Sequence, residues 1–412
     1  MATLSSNKLN PKFLKILSIF CACLVPILIT GPFLPDLMVS FLSIWFLYYT
    51  LKNKIYNIYR NIYFYFFVGF WLTCIISSLL SDDILLSIKG SLFYVRIGIF
   101  ALLISYLIDQ DKKILNYFYY AFLITFSSLI IDGYFQYYTS FNLFGYRMHG
   151  MRPSSFFGNE LILGSYLARL FPLLFALFVA RSNKHPLEVY FISILFILID
   201  VLIFLSGERA SFFFLNLSTL FIIFFISSYK WLRLGVFIIS LFMITFLTIT
   251  DERLYDRYIK SPIDSVGLNL SNKNFFSPTH DELINTAWKM FLDKPILGHG
   301  PKLFRVKCHD QKYATGISSC HQHPHNFYVQ LLAETGVVGF LFLAGLFFYF
   351  IYSSIKHIFH RFVYKRKYFT DYQICLLSGL LITIWPITTN GNIFTNHLML
   401  FYSLQMGFFR KI

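Results

Sequence analysis

The feature that most constrains this chain is a recurrence: apolar runs of about twenty residues, separated mostly by short polar connections. A helix needs about 20 apolar residues to cross the hydrocarbon core of a bilayer. Inside that core only helices and closed barrels satisfy their own backbone polar groups. Twelve such runs are read: 13–32, 36–51 (a short one), 62–80, 91–108, 114–136, 159–180, 187–206, 211–228, 234–250, 327–352, 372–389 and 393–409. Composition agrees, since 57% of the residues are hydrophobic and only 13% charged, against about a quarter charged in soluble domains. The expected fold class is an all-α integral membrane protein with about twelve transmembrane helices. No soluble domain of any size, no internal repeat and no low-complexity segment is read. The run after Lys8, Lys12 and Lys15 is long enough to remain as an anchor, and its end, "ILITGPFLPD", lacks a small-x-small cleavage pattern.

The formal net charge is +15, which in a membrane protein is first tested against the positive-inside rule. With the N terminus in the cytoplasm, segments 1–15, 52–60, 109–113, 181–185, 229–233, 356–367 and 410–412 carry nineteen Lys and Arg. The short outer connections carry only Lys89, Arg147, Arg152 and Arg209. Segment 251–325 carries ten, but long loops are poorly governed by the rule. Both termini are therefore expected in the cytoplasm, with one large extracytoplasmic loop between spans nine and ten. The domain reading is 1–158 for the N-terminal membrane helices, 159–250 for the central ones, 251–325 for the outer loop and 326–412 for the C-terminal helices.

Cys21, Cys23, Cys74 and Cys375 sit in apolar runs and read as packing residues. Cys308 and Cys320 share the hydrophilic outer loop, in an oxidising compartment. A disulfide is expected there, stabilising by roughly 2–4 kcal/mol. Residues 280–293 of the same loop read as an amphipathic helix, with Leu283, Ile284, Ala287, Met290 and Phe291 at helical spacing. It would lie flat on the membrane or lid a cavity. "GHG" at 298–300 reads as a turn.

The loop ends in "CHQHPHNFYVQLLAETGVVGF", where His321, His323 and His325 crowd the mouth of span ten. Pro324 suits the first turn of that helix. Asn326, Gln330 and Glu334 share one face at i, i+4, i+8, which points to a wet cavity opening outward, because a carboxyl at that depth is otherwise costly. Gly336 and Gly339 would let another helix approach. Arg96, Arg169 and Glu160 lie within or beside other spans, and intramembrane charges are functional candidates by default. The plain alternative is a structural ion pair, such as Arg169 with Glu160 or Glu334. Arg209, in "LSGERASFF", and Arg152 lie in outward connections. Guanidinium groups converging at one face suit a phosphate-bearing ligand.

"HNFYVQLLAETGVVG" resembles the His-Asn, nine residues, Gly-x-x-Gly pattern of the bacterial O-antigen ligase and O-antigen polymerase family. "KMFLDKPILGHGPKLFR", "LSGERASFF" and "RPSSFFGNELILGSYLA" are similar to other elements of that family. The resemblance implies a GT-C-like inner-membrane glycosyltransferase that needs no metal and no cofactor. Its donor would be a glycan on undecaprenyl diphosphate, and its acceptor a sugar hydroxyl on lipid A–core or on another lipid-linked glycan. His325 matches the family's essential histidine, expected to accept the acceptor's proton, with inversion at the anomeric carbon. Arg209 matches the arginine that holds the diphosphate. The family's second arginine has His280 in its place here, so His280, Arg305 or Arg257 is left to take that role. Arg152, Arg305, His280, Asn326, Gln330, Glu334 and Arg169 are the expected substrate-binding residues.

Two other classes fit part of the pattern. Zinc would use His299, His309, His321, His323, His325, Cys308 and Cys320, but His-x-His-x-His is not a common zinc spacing. A polysaccharide transporter or flippase would share the spans and the buried charges, yet no repeat supports it. Between ligase and polymerase the residues lean to ligase, acting on lipid A–core.

Overall fold

The computed structural model describes residues 9–182, 184–263 and 277–409. The expected positive residues at 1–8 and 410–412, and Lys273, lie outside that range. Among the described residues the protein is all-helical, and nine helices are long and apolar enough to cross a membrane. They are α1 (Pro11–Thr30), α2 (Phe33–Lys52), α3 (Ile62–Leu79), α4 (Ile84–Gln110), α5 (Ile114–Thr139), α6 (Leu163–Ala180), α7 (Pro186–Leu205), α9 (Lys230–Thr250) and α11 (Phe327–Phe362). Three of the twelve apolar runs give shorter helices: α8 (Arg209–Phe225), α12 (Asp371–Thr383) and α13 (Asn396–Phe408). The stretch after α12 unwinds because Pro386 cannot donate and Thr388–Asn392 is polar. The amphipathic helix of the loop is α10 (Pro278–Asp293).

Local chemistry sets the boundaries. Asn61 Oδ1 accepts the Phe64 N–H at 2.8 Å and Asp83 Oδ1 the Leu86 N–H at 3.0 Å, so α3 and α4 start on side-chain caps. Pro11, Pro186 and Pro278 open α1, α7 and α10, where a missing N–H costs nothing. Every residue of α12 is buried, and α6 is buried along most of its length, so these two form the centre of the bundle. Phe171, Phe175 and Phe178 of α6 interlock with Phe196 of α7 there. Most of α3 and α9 faces outward with apolar side chains, as lipid contact requires.

Two of the charged pairs hold helices together within this bundle. Arg233 of α9 donates to Asp200 of α7 at 2.8 Å, and both side chains are inaccessible. Arg233 is thus a structural ion-pair residue rather than an exposed surface cation. Arg96 of α4 pairs with Asp36 of α2, the structural outcome considered for it.

The connections fall into two contacting sets. Asp82, after α3, holds Lys294 and Lys307 of the long loop. Arg152, before α6, donates to the Ser206 carbonyl after α7, and Asn390, before α13, donates its N–H to the His325 carbonyl. In the other set, Ser228 N–H before α9 donates to Asp371 of α12, and Arg361 of α11 reaches the Phe225 carbonyl at the end of α8.

One device decides where the long loop sits. Helix α11 is broken at Gly336, whose φ of 64° and ψ of −167° lie in a region open essentially to glycine alone. Loop residues 295–300 fill the break. Val337 and Val338 N–H donate to the Pro295 and Ile296 carbonyls at 2.8 and 3.4 Å. On the other side, His299 and Gly300 N–H donate to the Ala333 and Glu334 carbonyls at 3.0 and 2.8 Å. Both sets of groups orphaned by the break are satisfied by one loop segment, as a broken helix buried in protein requires. Gly336 therefore admits a loop segment, and not the neighbouring helix that its spacing suggested.

Candidate active site

His325 stands immediately before α11, in the left-handed region with φ +57°. That conformation is uncommon for a residue with a side chain. It is held from behind by Asn390, whose N–H donates to the His325 carbonyl at 2.7 Å. Asn326 follows as the helix cap: its Oδ1 accepts from Tyr328 and Val329 N–H, and its Nδ2 donates to the Pro386 carbonyl at 2.8 Å. The α11 helix thus begins at Phe327, three residues beyond Pro324, because Asn326 takes the cap.

Around His325 lie three further imidazoles. His321 Nδ1 and His325 Nε2 share a hydrogen bond at 3.2 Å. The ring centroids of His323 and His280 lie 4.2 and 5.3 Å from that of His325. Burial, then the neighbouring His321 and His280, pulls His325 down to about 4. Burial, then His325 and His321, pulls His323 down to about 3. His280 is also lowered, chiefly by burial. At neutral pH His280, His323 and His325 are therefore uncharged, and His325 can accept a proton.

The polar face below His325 does not open into a wet cavity. Gln330 and Glu334 are both fully buried. Glu334 Oε1 accepts the Phe304 N–H at 2.9 Å, and its Oε2 accepts from Gln330 Nε2 at 2.9 Å. Gln330 Nε2 also donates to Asn392 Oδ1, and its Oε1 accepts the Ile393 N–H. The two side chains bolt the loop and the α12–α13 connection to α11. Helix α10 packs on the adjoining part of the loop and on α11. Its Leu283, Ala287 and Met290 pack on Phe304, Cys308, Tyr313 and Ala333. The Cys308–Cys320 disulfide lies under this helix, with a Cα–Cα distance of 5.1 Å.

A cationic group surrounds the turn between α7 and α8. Gly207 sits there at φ +69°. Arg152 Nε donates to the Ser206 carbonyl at 3.1 Å, and Arg257 Nε to the Gly207 carbonyl at 2.8 Å. Arg209, the first residue of α8 and exposed, donates to the Arg257 carbonyl at 2.8 Å and to Ser261 Oγ at 3.0 Å. None of the three makes an ion pair among the described residues. The nearby carboxylate is already committed: Glu208 accepts from Gly164 N–H, Ser165 N–H and Ser211 Oγ. Three guanidinium groups thus gather at the N terminus of a 17-residue helix, the chemistry that suits an anion. Arg305, in the short helix Phe304–Lys307, has a buried Nε without a hydrogen-bond partner among the described residues.

Arg169 makes no ion pair with Glu160 or Glu334; Glu160 is exposed in the connection before α6. Instead Arg169 donates to Asn390 Oδ1 at 3.0 Å and to Ser165 Oγ at 2.9 Å. A continuous polar chain results. It runs from His325 through Asn390, Arg169 and Ser165 to Glu208, the neighbour of Arg209. Asn390, Ser165 and Glu208 were not singled out by sequence reasoning. The signal for Asn390 was the polar interruption "TTNGN" inside the last apolar stretch.

Fold and site together define a multi-pass helical membrane protein with a histidine cluster and an arginine-lined turn, joined by a polar chain. Residues 192–344, from α7 into α11, match the family model described as O-Antigen ligase, and the chain carries an O-antigen ligase family domain there. No curated protein matches the chain.

Proposed function

We propose that the protein is an inner-membrane glycosyltransferase that moves a glycan from undecaprenyl diphosphate to a sugar hydroxyl on lipid A–core, at the periplasmic face. The observation that carries this reading is the three arginines at the α7–α8 turn, without an ion pair among the described residues and tied by the polar chain to a neutral His325. In the proposed reaction His325 takes the proton of the acceptor hydroxyl as its oxygen attacks the anomeric carbon. The bond from that carbon to the diphosphate oxygen breaks, the configuration inverts, and the leaving diphosphate departs as an anion. Arg209, with Arg152 and Arg257, stabilises the charge growing on it. Arg257 fills the place for which His280 and Arg305 were also considered, and no metal takes part.

All twelve apolar helices are read as crossings, with both termini in the cytoplasm. The separation of the connections into two contacting sets, alternating along the chain, supports this. So does the concentration of Lys and Arg outside the long loop in one of those sets.

Envelope glycans of a deletion strain test the acceptor. Loss of all long chains from lipid A–core supports ligation. A single repeat unit left on the core would instead make the protein a polymerase that joins lipid-linked repeats.

A further inference from the structure

The proton acceptor sits inside a set of imidazoles that its own reaction does not require. His321, His323 and His325 each offer a ring nitrogen, and these atoms all lie within 4.8 Å of one another. The segment is not helical, so alternate residues can present their side chains to one side. His323 is only 9% exposed, and among the described residues its ring nitrogens make no hydrogen bond of proper geometry, the Asn390 backbone being their near neighbour. A buried imidazole met so poorly is costly unless something else occupies it.

We infer that His321, His323 and His325 form a zinc(II) site which, when filled, switches transfer off. Two nitrogens on a tetrahedral zinc at about 2.0–2.1 Å stand about 3.4 Å apart, and His321 Nδ1 and His325 Nε2 are already 3.2 Å apart. Ring rotation of His323 closes the third edge, and water takes the open fourth position, as in three-histidine sites. The frame is fixed at both ends. Cys320 is locked to Cys308, and the His325 carbonyl is held by Asn390. His321 is exposed and provides the entry path. The cluster of Cys308, His309 and Cys320 cannot compete, because both sulfurs are spent on the disulfide. Zinc bound here takes the lone pair with which His325 accepts the acceptor's proton. The inhibition therefore rests on the base role of His325, whereas the metal site does not.

The test uses the full-length purified protein and its H321A variant, with zinc sulfate in equilibrium dialysis and in glycan transfer. H321A removes an exposed ligand without disturbing the core. One zinc per chain is expected for the wild type, with affinity reduced about tenfold or more in H321A. Zinc should stop wild-type transfer and EDTA should restore it, whereas the rate of H321A, measured against its own zinc-free rate, should change little at the same zinc concentration. Equal binding by the two proteins overturns the site. Undiminished transfer by zinc-loaded wild type overturns the switch. Should neither protein transfer glycan without zinc, the glycosyltransferase reading falls, and the dialysis difference alone decides the metal site.

Discussion

Replacing Gly336 by alanine tests the break in α11 on which the loop's position depends. Its backbone lies at φ 64°, ψ −167°, a region that costs a residue with a Cβ about 1–3 kcal/mol. The new methyl would also collide with the Ile296 carbonyl, which is backbone and cannot swing aside. Relief requires withdrawing segment 295–297, which breaks the Val337–Pro295 and Val338–Ile296 hydrogen bonds. Each such bond is worth about 0.5–1.5 kcal/mol net. Together these give a loss of about 2–6 kcal/mol. Gly345 on the same helix is the control, since a Cβ there meets nothing. Alanine at 345 should leave stability unchanged or raise it by up to about 1 kcal/mol. Unfolding of the two purified variants in mixed micelles, titrated with a denaturing detergent, measures the difference. Indistinguishable G336A and wild-type transitions would refute the reasoning, because the loop would then not occupy the break.

Three further outcomes are expected. R209K should lose most transfer despite keeping its charge, since lysine lacks the planar fork for a phosphate; wild-type rates in R209K, measured with a lipid-diphosphate donor, would contradict the arginine seat. With His325 at about 4 in the free protein, kcat/KM should hold steady from neutral pH downward and fall only near pH 4, as the imidazole gains its proton. The acid limb of kcat should lie higher, because an anionic donor favours the imidazolium; a kcat/KM limb near 6.5, the ordinary histidine value, would contradict the burial of the cluster. Reducing the Cys308–Cys320 bond should lower stability by roughly 2–4 kcal/mol in the same detergent titration, and an unchanged transition on reduction would argue against it.

The apolar runs were legible because membrane crossing imposes a length and composition that hardly depend on the partner helices. Helix α10 was legible for a related reason: its Leu283, Ala287 and Met290 follow one stripe, which is the buried face. Its partner was not, since the surface it covers is contributed by Phe304, Tyr313 and Ala333, distant in sequence. The polar face of α11 was read with the right members and the wrong surroundings. Spacing shows that Gln330 and Glu334 share a face, but their partners, Asn392 and the Phe304 N–H, lie 62 and 30 residues away. Gly336 shows the same limit. A glycine that admits a neighbour and one that bends the chain look alike until φ is known. Arg169 read as a charge seeking a carboxylate, whereas two neutral side chains, Asn390 and Ser165, engage it.

The most direct measurement is glycan transfer by purified protein from a preformed undecaprenyl-diphosphate-linked donor to lipid A–core, comparing wild type with H325A. Covalently extended lipid A–core is predicted for the wild type, and none for an H325A protein that inserts and unfolds normally. Full transfer by H325A, or a wild type that only moves the donor between leaflets without changing a bond, would contradict the account.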